Sequence, residues 1–165
     1  MEKVQHHTVT LNCDARTAFE MFTVNEHLEA WLTAKADVES KLGGKYELFW
    51  NPPTRESDST IGCRITTFLQ DKLIGFDWKG PLEYKDLMND ADPLTHVSVF
   101  FLPADEGGEA RTMVHLIHSG WRSSPEWEGP WKYFENAWAL CFKRLEQLVN
   151  AGETPEPWHP RGERT

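Results

Sequence analysis

Seven apolar side chains, Trp127, Trp131, Phe134, Trp138, Cys141, Leu145 and Leu148, recur at intervals of 4, 3, 4, 3, 4 and 3 residues. Only a helix lays such a series along one face, and a helix over residues 125–149 would run about 35 Å with one continuous apolar seam. Ser124 ahead of Pro125 suits its cap and first position. Gly129-Pro130 either kinks this helix near its start or begins a new one, because the proline removes one helical hydrogen bond. A seam this long is stable only against a covering surface, so the rest of the chain has to supply one.

The covering surface is predicted between Val38 and Ser119, where the apolar period changes to two and Gly43-Gly44 and Asn51-Pro52-Pro53 punctuate the pattern. Strands are expected over 45–50, 61–69, 72–78, 95–102 and 112–119, with loops at Gln70-Asp71 and 103–110 that imply antiparallel hairpins. Earlier in the chain, Val4, Thr8, Thr10 and Leu11 form a β-prone stretch. Asn12 to Asp14 then offer an N-cap to a short helix over 15–22, and Asn25 caps a second turn carrying Leu28, Trp31 and Leu32. If Leu102 lies opposite Arg111, Thr95 faces His118, Val97 faces Leu116, Val99 faces Val114 and Phe101 faces Thr112. That face is mostly apolar, and the other, with His96, Ser98, Phe100, Met113, His115 and Ile117, is mixed.

The order β, α, α, five β and a long α predicts an α+β domain over 1–150: a curved antiparallel sheet of six or more strands wrapped around the terminal helix. Residues 151–165 make a polar, proline-containing tail that trails off or lies on the surface. A concave sheet is not filled by one helix, so an interior cavity follows.

Charge and cysteine usage narrow the partners. Seventeen Lys and Arg against twenty-six Asp and Glu give a net charge of −9, which repels phosphate backbones and anionic membranes; nucleic-acid binding is not expected. Neither a run of eighteen apolar residues nor a signal-peptide profile at Met1 to His7 is present, so membrane insertion is not expected either. Cys13, Cys63 and Cys141 fit neither a disulfide framework nor a zinc finger, and no metal or cofactor is called for. The expectation is a cytoplasmic protein. Eight Trp among twenty aromatics supply broad flat walls for something in the fold.

Trp31-Leu32, 42–48 (Leu-Gly-Gly-Lys-Tyr-Glu-Leu), Gly62, Phe76-Asp77-Trp78, 95–101, 112–121 ending in His118-Ser119-Gly120-Trp121, and Gly129-Pro130-Trp131 form an ordered set. Together they resemble the START-related SRPBCC superfamily, and within it the heat-shock-protein-90 ATPase activator homologue (C-terminal-domain-like) family, over about residues 3–150. The resemblance implies a helix-grip (START/Bet v 1-like) fold, an apolar internal cavity and a lipid-like, aromatic or polyketide-like guest.

Trp31, Tyr46, Trp50, Phe76, Trp78, Trp121, Phe134 and Trp138 are the candidate ligand-binding wall, since strand residues two apart and helix residues four apart converge on one concave space. Ordinary core packing explains each of them singly. His118, on the Val114–Leu116 face, is the one candidate for proton transfer or ligand orientation; a histidine bonded to backbone or to Trp is the competing reading. His115 points away from it, which excludes a shared metal. Arg64 faces either the cavity or solvent, depending on the phase of its strand. Cys141 falls in the helical seam as a small core residue. Three functions follow: binding of a hydrophobic or aromatic small molecule, a cyclase or dehydratase-like reaction using His118, or a protein-interaction role on the mixed face, as a homodimer or against a chaperone.

Overall fold

The computed structural model describes residues 3–159. Pro125–Trp127 form a single 3-10 turn and the long helix α4 follows as Glu128–Asn150. Pro130 therefore falls in the first turn, where backbone N–H groups have no intrahelical acceptor, and the proline opens the helix rather than interrupting it. The remaining elements are β1 (Gln5–Leu11), α1 (Ala15–Glu20), α2 (Asn25–Trp31), β2 (Lys35–Val38), β3 (Tyr46–Phe49), β4 (Ile65–Leu69), β5 (Leu73–Trp78), α3 (Lys85–Met88), β6 (Thr95–Pro103) and β7 (Thr112–Ser119). Asp14 caps α1 by accepting a hydrogen bond from the Thr17 N–H at 2.8 Å.

The strands divide into two sheets, which corrects the expectation of one sheet with six or more. Five antiparallel strands run in the order β1-β7-β6-β5-β4, and β2 pairs with β3 apart from them. The break has a backbone cause. Between β3 and β4 the chain turns at Asp58 and Gly62, both at positive φ, so isolated bridges, Lys45 to Arg64 and Phe49 to Ser59, and single backbone hydrogen bonds such as the Tyr46 N–H to the Cys63 carbonyl join the two in place of a continuous ladder. The expected strand over 61–69 accordingly starts at Ile65, with Arg64 exposed to solvent and Ile65 buried.

The β6–β7 register also differs from expectation. Leu102 pairs with Met113, Val99 with Leu116 and Val97 with His118, a slide of two residues that leaves every side chain on its expected face. Its cause is the Gly107-Gly108 turn: φ is +60° and +82°, Glu106 pairs with Glu109, and the Ala104 N–H donates to the Arg111 carbonyl. A two-residue turn with positive φ at both positions sets the pairing of the whole hairpin.

The inner face of the five-stranded sheet presents Ile74, Phe76, Trp78, Val97, Val99, Val114 and Leu116, all buried, to Phe134, Trp138, Cys141, Phe142 and Leu145 of α4. At one end Phe19 of α1 and Phe22, just after it, pack edge-on against Phe101 at 5.3 and 5.4 Å, and Trp31 of α2 packs edge-on against Phe22 at 5.0 Å. No helix among the described residues is long and apolar enough to cross a membrane.

Candidate functional site

The other end of the core, beyond Trp78, is not filled. A cavity of about 530 Å³ lies there, within the roughly 300–1,000 Å³ usual for small-molecule sites. Trp78 reaches it because it ends β5 on the inner face, and Trp50 because it directly follows β3. From α4, Phe134, Ala137, Trp138 and Cys141 contribute one side of the helix. Asp58, Ser59, Lys79 and Glu83 come from the connecting loops. The walls are flat: Trp78 and Trp138 have centroids 5.1 Å apart, and Trp50 meets Trp78 edge-on at 6.0 Å.

Of the nine residues the sequence nominated, Trp50, Trp78, Phe134 and Trp138 border this cavity. The other five are buried behind it. Trp31 donates its indole N–H to the Met21 carbonyl at 2.8 Å, and the Tyr46 hydroxyl donates to the Phe22 carbonyl at 2.8 Å. Tyr46 stacks on Phe76 at 3.8 Å, and Trp121 donates to the His118 carbonyl at 3.0 Å.

His118 is fully buried and both ring nitrogens are engaged. The Trp138 indole N–H donates to Nδ1 at 3.0 Å. Since an indole nitrogen only donates, Nδ1 accepts and the proton sits on Nε2, which donates to Thr95 Oγ1 at 3.1 Å. Burial pushes the imidazole pKa well below its usual value, with His7 and His96 acting in the same direction, so the ring is neutral near pH 7. Trp78, Phe134 and Trp138 each contact this ring and also border the cavity, so they stand between the two.

The tail lies on the surface, one of the two expectations, but sequence reasoning missed its place at the cavity. Residues 151–159 fold back along α4: Pro155 is buried, and Trp158 and His159 border the cavity. Arg144 holds this segment, its guanidinium 4.4 Å from the Trp158 ring centre while Nε donates to the Trp31 carbonyl at 2.9 Å. A single indole in a proline-rich polar stretch was the available signal. The Nε1 atoms of Trp78 and Trp158 are buried and meet no acceptor among the described residues.

Nucleophilic chemistry has little support. Burial pushes the Cys63 and Cys141 thiols up to about 12 and Cys13, aided by Asp14, up to about 11, so none is a thiolate near neutral pH. Among the described residues no three His, Cys, Asp or Glu side chains are grouped to hold a metal ion.

Three comparisons with known proteins complete the description. No curated protein gives a match. Among solved structures, a protein from Mesorhizobium loti is similar with a TM-score of 0.72 and 18% identity, covering 92% of this chain and 99% of its own. An HSP90 activator from Plasmodium falciparum gives 0.65 at 21% identity, covering 92% and 97%. The Aha1 dimer from Colwellia psychrerythraea gives 0.65 at 15%, covering 92% and 98%. The family model described as Activator of Hsp90 ATPase homolog 1-like protein matches residues 12–150, every element after β1 through the end of α4. The chain belongs to that family.

Proposed function

We propose that the protein is a binding module for a hydrophobic or aromatic small molecule, held between sheet, α4 and tail of a helix-grip domain. The supporting observation is the formed space of about 530 Å³ walled by Trp50, Trp78, Phe134 and Trp138. A ligand losing about 300 Å² of apolar surface to these walls would gain roughly 7 kcal/mol from that term, before the cost of its lost motion. His118 takes no part, because both nitrogens are bonded and the ring lies behind the wall. Three free cysteines fit the reducing cytoplasm as its location. Titration with the neutral dye Nile red, read by its fluorescence and by native mass spectrometry, should give one saturable site per chain. A dye signal that never saturates, with no adduct in the spectrum, would remove this reading.

A second reading is a protein contact, as the names of the similar activator structures suggest. It is favoured by the outer face of β6 and β7, where Phe100 is 37% exposed, Leu102 50% and Met113 38%. On this reading that face meets a chaperone or a second copy of the chain. Met113→Asp should then abolish co-purification with Hsp90 or shift a dimer to monomer on gel filtration; a partner retained by the variant argues against it.

A further inference from the structure

We propose that the cavity selects a flat ligand with a hydrogen-bond acceptor on its edge, of the aryl-ketone or quinone type, in preference to a fatty acyl chain. This rests on the cavity being a ligand site, and two observations carry it further.

The first is a pair of missing acceptors. Trp78, 2% exposed, borders the cavity from β5 and Trp158 borders it from the tail, and the Nε1 of each is buried without an acceptor among the described residues. Unpaired indoles are not the habit of this core, since Trp31, Trp121 and Trp138 each donate to an oxygen or nitrogen at 2.8–3.0 Å. An indole nitrogen can only donate, so what these two lack is an acceptor atom. A hydrocarbon chain offers none.

The second is shape. Trp50, Trp78 and Trp138 set planar faces around the space, with Trp50 and Trp138 at 6.0 and 5.1 Å from Trp78. Rings stack on such faces, and flexible chains lose more freedom in being ordered against them.

Fluorenone and fluorene are nearly the same size and differ by one carbonyl oxygen, so they isolate the acceptor. Each is titrated into the full chain by calorimetry, with decanoate as the acyl anion, while proton–nitrogen correlation spectra follow the indole N–H signals. Fluorenone should bind about tenfold tighter than fluorene. It alone should move the Trp78 and Trp158 signals downfield, and Trp78→Phe or Trp158→Phe should each weaken fluorenone more than fluorene, narrowing the preference by about fivefold. Trp158→Phe, on the tail, serves if Trp78→Phe unfolds. Equal binding of the two ring compounds, or tighter binding of decanoate, overturns the acceptor-edged ligand and leaves the cavity a ligand site. Failure of all three to bind removes the ligand site and this proposal together.

Discussion

His118 acts as a strut. Its imidazole receives a hydrogen bond from Trp138 on the helix and gives one to Thr95 on the neighbouring strand, so one ring ties α4 to the sheet beside the cavity. His118→Leu removes an acceptor and a donor at once and should lower stability by about 2–4 kcal/mol in urea unfolding. The pH dependence has a definite sign. In the folded protein the ring stays neutral well below its ordinary value of 6.5, whereas the unfolded chain takes up the proton near 6.5. The unfolded state thus binds more protons below 6.5, and stability should fall as pH drops from about 7 toward 5, by up to about 1.4 kcal/mol per pH unit for this group. His7 and His96, half-buried and also lowered, add in the same direction. His118→Gln should flatten the slope by about one proton; an unchanged slope would mean the ring is not held neutral. The sequence reading favoured a histidine satisfied by backbone or Trp but could not name Trp138, because burial and that bond depend on how helix and strand meet.

The β6–β7 hairpin shows how a small element governs a large one. Gly107 and Gly108 sit at positive φ, and their turn sets which strand residues pair from Pro103 back to His96. Gly108→Val should cost about 1–2 kcal/mol in thermal unfolding, while Gly107→Asn, which tolerates that conformation, should be nearly neutral. The signal was in the sequence: the pair lies in the loop that alternation had marked, and a two-glycine turn there gives the observed pairing directly. The α4 seam was legible because its period runs unbroken from Trp127 to Leu148. β2, four residues with only Ala36 fully buried, carries too little alternation to be seen alone and forms because β3 lies beside it. The tail's place at the cavity was illegible for a related reason, since Trp158 gains its meaning only when Arg144 and α4 are in place. Trp158→Ala should therefore cost about 1–2 kcal/mol, from lost burial and the lost cation–π contact. An unchanged melting temperature would mean that the tail does not hold to the helix.

Taken whole, the molecule fills one end of its core and leaves the other open. Phe19 and Phe22 crowd the end marked by Phe101, whereas beyond Trp78 the walls stand apart around about 530 Å³. The α+β class, the inward face of β6 and β7 and four of the nine nominated residues could be read from periodicity; the cavity's position could not, because it depends on where β3 leaves β4 and where the tail returns. Ala137 offers the most direct test, since it borders the cavity from α4 and is only half-buried. Ala137→Trp places an indole in the empty space, and Nile red affinity is measured for both proteins alongside their melting temperatures. The expected result is saturable binding by the wild type, a loss of about tenfold or more in the variant, and unfolding at nearly the same temperature. Equal dye affinity in the two proteins would contradict a ligand site beneath α4.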